Sequence, residues 1–169
     1  GQCPNPGRLV ASIARLAAQK GVVFTRQPVR SLVLEQGCVK GVATEAGIVA
    51  ADMVVIAAGA FSGPFAKQAG VRVPPISERG YHIMPPPAKT GLGVNVNAVE
   101  RKFVAAPMEG GLRLSGTVEF ANPSAAPNWR RAEILARQAE HMFPSVDLRG
   151  MERWMGNRPG TPDSIPIIE

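Results

Sequence analysis

Residues 29–50 carry the pattern that most restricts how this chain can fold: three short apolar segments separated by two tight turns. The turns fall at 36–37 and 45–47, and each contains a glycine. Turns of two or three residues join neighbouring strands that run in opposite directions. The sequence therefore predicts a three-stranded antiparallel meander. The 18 Gly and 16 Pro are spread along the chain, which is typical of many turns and short strands.

The segments on either side of this meander predict two helices and two more strands. Asn5 is a favourable N-cap residue, and Pro6 follows it at the first position of a helix. The short apolar run at 21–25 predicts a strand. The run at 53–58 is apolar throughout, which predicts a strand buried on both faces. A second helix is predicted at 64–69.

Beyond residue 70 the chain changes to Pro-bounded strands with one helix near the end, which is typical of an α+β unit. Asn128 is the predicted N-cap of that helix. The fold class predicted for the whole chain is therefore α/β followed by α+β. The strands predicted in this second part cover residues 71–87, 91–99, 102–107, 111–120 and 150–160.

Composition argues against several classes of function. No apolar stretch approaches the roughly 18 residues that a membrane-spanning helix needs, so none is predicted. Two Cys and two His supply too few ligands for the usual metal sites, so no metal is expected. The net charge of +6 comes mostly from scattered arginines, and aromatic residues make up only 5%. We therefore expect no nucleic-acid partner, and a basic balance suits an anionic small ligand equally well.

Two motifs contain residues suited to ligand binding. In "RWMGNRPGTPDSIPIIE", at 153–169, Arg158 lies among glycines and prolines that fix the backbone around it. A guanidinium there can hold a carboxylate through two parallel hydrogen bonds, or it can be a surface ion-pair residue. In "VVIAAGA", Ala57, Ala58 and Gly59 leave the backbone open to a flat ligand. An ordinary strand that ends in a tight turn has the same pattern.

Four stretches occur in an order that resembles the D-amino acid oxidase type of flavoprotein, and above all bacterial D-amino acid dehydrogenases and their glycine oxidase relatives. They are "VVIAAGAFSGPFAKQAGVRVPPISERGYHIM", "RLSGTVEF", "PNWRRAEILARQAEHMFP" and "ERWMGNRPGTPDSIPII". The resemblance covers nearly the whole chain and is most specific at "RPGTPDSIPII". It implies FAD as cofactor and a small amino-acid substrate. The implied reaction oxidises a D-amino acid to the imino acid by hydride transfer to the flavin.

The resemblance also implies a domain organisation. Residues 1–70 would form part of an FAD-binding, Rossmann-like domain that includes the meander. Residues 71–158 would form a substrate-binding domain with a mixed sheet, and residues 159–169 would return toward the FAD-binding domain. The chain contains no GxGxxG motif, because "GLGVNV" fails at the third glycine. We therefore expect a central fragment of a longer enzyme, inactive on its own and unable to hold FAD tightly.

The same resemblance implies roles for individual residues. Arg158 would bind the substrate carboxylate, and Tyr81 or His82 would help to orient the substrate. Neighbouring residues of a strand face opposite ways, so at most one of these two can face the pocket. The cofactor would be contacted by Val29 at its adenine, by Pro159 and Gly160 near the flavin ring, and by Ala57, Ala58 and Gly59.

Two alternatives to this function remain open at this point. One is oxidation of another small amine, such as sarcosine or glycine, by an enzyme of the same superfamily. The other is a module without catalysis that binds a partner or an anionic ligand. The sequence does not identify the electron acceptor, which could be oxygen, a quinone or a carrier protein, or the oligomeric state. The expected location is the cytoplasm, and a peripheral association with the inner membrane is left open.

Overall fold

The computed structural model describes residues 3–73, 77–88, 90–161, 164–165 and 167–168. It contains three α-helices and eight strands within these residues. In chain order they are α1 (Pro6–Gln19), β1 (Val29–Glu35), β2 (Cys38–Thr44), β3 (Gly47–Ala50), α2 (Gly63–Gln68), β4 (Ser77–Met84), β5 (Val96–Ala98), β6 (Phe103–Met108), β7 (Gly111–Ala121), α3 (Arg130–Met142) and β8 (Glu152–Pro159).

The first part of the chain folds as the local sequence signals predict. The side chain of Asn5 accepts a hydrogen bond of 2.8 Å from the backbone N–H of Arg8, which caps α1, and Pro6 is its first residue. Strands β1, β2 and β3 form an antiparallel sheet in that order. Gly37 and Gly47 have positive φ angles of 80° and 123° in the two turns. The predicted meander is confirmed.

The second sheet has five strands in the order β5-β6-β7-β4-β8, and every neighbouring pair is antiparallel. The mixed sheet predicted for residues 71–158 is therefore wrong. Helix α3 connects β7 to β8 by a crossover, so these two strands run in the same direction. They are not paired with each other because β4 lies between them and is antiparallel to both.

Helix α3 covers one face of this sheet and forms the core with it. Its small and branched residues pack against the strands, and Leu135 is 2% exposed. The predicted N-cap at Asn128 is wrong, because no side chain caps this helix. The backbone N–H of Asn128 instead donates to the hydroxyl of Tyr81, which holds the start of the helix against β4. The buried core comprises Tyr81, Ile83, Ala98, Phe103, Ala105, Leu112, Leu114, Ala132, Leu135, Ala139 and Val146.

Two predicted strands are not formed, and a third is shortened. Residues 21–25 and 53–58 have no strand hydrogen bonding, and Val23, Met53 and Val55 are each about 80% exposed. An apolar run becomes a buried strand only when other strands pair with both its edges, and the described residues supply no such partner for either run. Of the strand predicted at 91–99, only β5 forms.

Contacts of Glu109 and of β8 join the first part of the chain to the five-stranded sheet. Glu109, in the turn between β6 and β7, forms an ion pair of 2.9 Å with Arg8 and accepts a 3.1 Å hydrogen bond from the Asn5 side chain. The short 3-10 helix Gly59–Phe61 lies against β8. None of the helices in the described part of the chain is long and apolar enough to cross a membrane.

Candidate functional site

The face of the five-stranded sheet opposite α3 carries two of the predicted site residues, His82 and Arg158. Alternation along β4 buries its odd-numbered residues, including Arg79 and Tyr81, beneath α3. The even-numbered residues and their partners on β8 lie on the other side, because directly opposed residues of antiparallel strands share a face. We call this side the open face; its residues on the two strands include Glu78, Gly80, His82, Trp154, Gly156 and Arg158.

Arg158 extends across the backbone of β4 at Gly80. Its register partner on β4 is Glu78, but its side chain reaches two residues further along the strand. A methyl group added to Gly80 would lie 2.6 Å from Nη2, 3.0 Å from Cζ and 3.1 Å from Nε of Arg158. The guanidinium therefore occupies space that any side chain at position 80 would fill. Among the described residues, no carboxylate or other acceptor hydrogen-bonds to it.

His82 and Trp154 form an aromatic pair next to this arginine. Their rings stack with centroids 4.7 Å apart and an angle of 21° between planes. Trp154 is 52% exposed, and its indole lies over Gly156, where an added methyl group would overlap the ring. Gly156 is the register partner of Gly80. The two opposed glycines thus make room for two planar side chains of β8, the guanidinium of Arg158 over Gly80 and the indole of Trp154 over Gly156.

His82 is neutral at ordinary pH. Its partial burial, and to a lesser extent the positive charge of Arg113, lower the pKa of the imidazole to about 4. Desolvation disfavours the charged imidazolium, and a neighbouring cation does the same. His82 can therefore offer a neutral hydrogen-bonding group or a stacking surface on the open face, but not a positive charge.

Tyr81 lies on the opposite side of the sheet, 2% exposed beneath α3. Its hydroxyl donates a 2.5 Å hydrogen bond to Glu119 and accepts one of 2.9 Å from the backbone N–H of Asn128. Burial first, and then the bond to Glu119, raise the pKa of the phenol. The structure thus brings His82 and Arg158 onto one face and separates Tyr81 from them.

Tyr81→Phe should destabilise the protein without a selective effect on substrate binding. The change removes two hydrogen bonds and leaves the Asn128 N–H without its partner, so we expect the free energy of unfolding to fall by about 1–3 kcal/mol. Thr117→Val is the matched control, because the buried Thr117 hydroxyl opposite Tyr81 has no hydrogen-bond partner. Denaturant unfolding measures the free energy of unfolding of both variants. A large rise in KM for Tyr81→Phe with unchanged stability would contradict this account.

Four of the residues predicted to contact the cofactor, Ala57, Ala58, Gly59 and Pro159, lie near the end of β8. Ala57, Ala58 and Gly59 are exposed, and Gly59 has a φ of 56°, which favours glycine. A methyl group at Gly59 would lie 4.0 Å from Cγ of Pro159, so these two predicted positions are neighbours. Exposed small residues beside a proline fit the edge of a flat ring system.

The other two predicted cofactor positions lie further out. Gly160 follows β8 and packs on Glu78, whose Cγ and Oε1 would each be 3.1 Å from an added methyl group. This contact directs the Glu78 side chain toward the turn and away from Gly80. Val29 begins β1 in the other sheet and is 39% exposed. Its predicted contact with adenine stays a prediction.

Sequence reasoning missed Gly80, Gly156 and Arg113 as residues of this face. The sequence did contain one usable signal. Gly80 and His82 are two residues apart on one predicted strand, and Gly156 and Arg158 are two apart on another, so each glycine shares a face with the predicted site residue. Which strands would be neighbours could not be read from the sequence. Only pairing of β4 with β8 sets the two glycines opposite each other.

Comparison with known proteins identifies relatives over almost the whole chain. A D-amino-acid oxidase from Bradyrhizobium diazoefficiens is 38% identical over 99% of this chain. A D-amino acid dehydrogenase from Paramagnetospirillum magneticum is 35% identical over 95% of it. The chain spans 41% and 39% of the length of these two relatives.

Solved structures share the fold at low sequence identity. L-proline dehydrogenase from P. horikoshii superposes with a TM-score of 0.78 at 21% identity, over 97% of this chain and 47% of that one. Glycine oxidase from Bacillus cereus gives a TM-score of 0.73 at 21% identity, over 94% and 44% of the two chains. The family model described as DAO, FAD dependent oxidoreductase, matches residues 1–169. The chain therefore belongs to the DAO family of FAD-dependent oxidoreductases.

Proposed function

We propose that the protein to which this chain belongs oxidises a small D-amino acid to the imino acid. One observation carries the proposal: Arg158 holds a guanidinium with no partner among the described residues on the open face, in space kept free by Gly80. The names of the two relatives, a D-amino-acid oxidase and a D-amino acid dehydrogenase, support an amino-acid substrate of this configuration. The electron acceptor is left unassigned.

Arg158 would bind the substrate carboxylate. A guanidinium presents parallel N–H donors that match the two oxygens of a carboxylate, and it remains charged at any working pH. Because no described residue pairs with Arg158, a substrate has no internal acid to displace. Fixing the carboxylate at one end of the open face would restrict the directions in which the Cα–H bond can point, which is the positioning that the reaction needs.

The His82–Trp154 pair would form the floor beside the bound carboxylate. The two rings offer a flat, largely apolar surface, and the neutral imidazole adds no charge to compete with Arg158. Such a surface excludes water from one side of the substrate. Of the two residues predicted to orient the substrate, we therefore assign this role to His82 and a structural role to Tyr81.

The cofactor would be held by residues of both parts of the chain. Ala57, Ala58 and Gly59 with the neighbouring Pro159 would contact the ring system, with Gly160 close by and Val29 at the adenine. FAD, when bound, supplies the acceptor for the hydride that leaves the substrate. This proposal treats residues 1–70 as part of a Rossmann-like FAD-binding domain, 71–158 as the substrate-binding domain, and 159–169 as the return to the first.

A product assay on the whole protein tests this function. We expect purified enzyme, supplied with oxygen or an artificial electron acceptor, to release a 2-oxo acid and ammonia from one or more D-amino acids. The corresponding L-amino acids are the controls for configuration. Turnover confined to glycine or sarcosine would move the assignment to those amines. No 2-oxo acid from any amino acid, with FAD bound, would contradict the proposal.

A further inference from the structure

A second arginine on the open face, Arg113 of β7, has no partner among the residues that the structure describes. It is paired in register with Ala106 and lies between Leu112 and Leu114, which are both buried on the α3 side, so its own side chain is on the open face. Arg113 is only partly exposed, and its Nε is buried and has no hydrogen-bond partner within the described ranges. A half-buried, unpaired cation is unfavourable in a folded protein unless something compensates it.

The Nε atoms of Arg79 and Arg131 are also buried without a hydrogen-bond partner, but another nitrogen of each guanidinium donates to a backbone carbonyl. Among the arginines that the structure describes, Arg113 therefore differs in being partly buried with no partner at all. Eight of them have a hydrogen bond, an ion pair or an aromatic partner, and the remaining ones without a described partner are exposed. The partnered ones are Arg8, Arg15, Arg30, Arg79, Arg101, Arg131, Arg149 and Arg153. The exposed unpaired ones, apart from Arg158, are Arg26, Arg72, Arg130 and Arg137.

No acid in the described part of the chain forms an ion pair with Arg113. Glu78 is directed toward Gly160, at the other end of β4. Glu152 is exposed at the start of β8 opposite Met84, and it forms no ion pair within the described residues. The charge of Arg113 is nevertheless felt on this face, because it contributes to the lowered pKa of His82. No described residue therefore supplies the negative charge that would compensate Arg113.

The spacing of the two arginines along the sheet suits a short ligand. Arg158 crosses β4 at Gly80, and Arg113 lies on the neighbouring strand near His82 and Met84. A strand rises about 3.3 Å per residue, so the two charges are separated by roughly 7–13 Å along β4. The stacked rings of His82 and Trp154 lie in this interval.

We propose that Arg113 is a specificity-determining residue that binds a second anionic group of the substrate, so that the preferred substrates are amino acids with an acidic side chain. This inference rests on the proposed function. The α-carboxylate would be bound by Arg158 and the side-chain carboxylate by Arg113, and the methylene groups between them would lie on the His82–Trp154 floor. Compensation by substrate would then explain why a half-buried arginine has no partner of its own.

Steady-state kinetics on the whole enzyme test the proposal with pairs of equal size, D-glutamate against D-glutamine and D-aspartate against D-asparagine. Arg113→Gln should lower kcat/KM for the acids by about 10- to 100-fold, the loss of one charge-assisted pair, and change the amides by less than about threefold. Arg113→Lys should retain part of the preference. Arg137→Gln, at an exposed and unpaired arginine, is the matched control and should leave both unchanged.

A binding measurement gives a readout that does not depend on turnover. Calorimetry should show that the dianion succinate binds the wild-type enzyme more tightly than the monoanion butyrate, and that Arg113→Gln abolishes the difference. Equal losses for acid and amide, or an unchanged preference in Arg113→Gln, would overturn the inference. If the inference about Arg113 failed in this way but Arg158→Ala removed turnover of every amino acid, the proposed function would stand and only the role of Arg113 would be lost. If the wild-type enzyme neither turned over any amino acid nor bound a carboxylate, both the proposed function and the role of Arg113 would be overturned.

Discussion

Replacing Arg158 by alanine should lower kcat/KM for the amino-acid substrate by about 100- to 1,000-fold. The change removes the guanidinium that lies over Gly80, and with it two parallel charge-assisted hydrogen bonds to the carboxylate. Arg158→Lys keeps the charge but loses the paired geometry, so we expect a smaller loss. Stability should change little, because Arg158 is exposed and has no partner within the described residues. Steady-state kinetics on the whole protein measure all of this.

Arg153 provides the control on the same strand. It is an odd-numbered residue of β8, and its guanidinium lies 5.4 Å from the ring centroid of Trp129 instead of on the open face. Arg153→Gln should therefore leave KM nearly unchanged, whatever it does to stability. Similar losses of kcat/KM in the two variants would contradict the assignment of Arg158 to substrate binding.

Gly80→Ala should raise KM by about 10- to 100-fold while the fold remains intact. The new methyl group would lie 2.6 Å from Nη2 of Arg158, so the guanidinium must move by about an ångström, and a displacement of that size can cost about 100-fold in rate. The fold tolerates the change because the obstructing atoms belong to the end of a flexible side chain. Steady-state kinetics measure the change in KM, and thermal unfolding measures any change in stability.

Gly93→Ala is the matched control for this substitution. An added methyl group at Gly93 meets no atom of the described residues within 4 Å. We expect it to change neither KM nor the unfolding temperature appreciably. If Gly80→Ala also left KM unchanged, Arg158 would not need its observed position, and the open face would lose its role in binding.

The sequence predicted well those features that are specified locally. The cap at Asn5 and the two turns of the meander depend on residues within one or two turns of each other. Asn128 failed as a cap although its local pattern was equally good. Its N–H is bound by Tyr81, 47 residues away, and such a partner leaves no trace in the local sequence.

Burial of the apolar run at 53–58 was predicted wrongly for a related reason. Its composition is typical of a strand with neighbours on both edges, but burial is a property of those neighbours. Among the residues that the structure describes, none pairs with it, and Val55 is 79% exposed. Composition therefore showed that the segment is able to form a buried strand, but whether it does so depends on which strands are available to pair with it.

The sequence suggested candidate residues for the site but not how they are arranged on the sheet. Alternation required Tyr81 and His82 to face opposite ways, but only the position of α3 decides that Tyr81 is the buried one. Arg113 could not be identified from the sequence. It stands out because it is a partly buried cation without a described partner, and only the structure shows its burial and its neighbours. The roles assigned to these residues stay predictions.

Anaerobic reduction of the bound flavin is the most direct test of the central claim, that Arg158 presents an amino acid to FAD by its carboxylate. The whole protein would be mixed without oxygen with a D-amino acid, or with the same amino acid as its amide, while the oxidised-flavin absorbance is followed. We predict that the amino acid bleaches this absorbance and that the amide, which lacks the carboxylate, does so at least about 100-fold more slowly. Equal bleaching by both compounds, or none by any amino acid, would contradict the account.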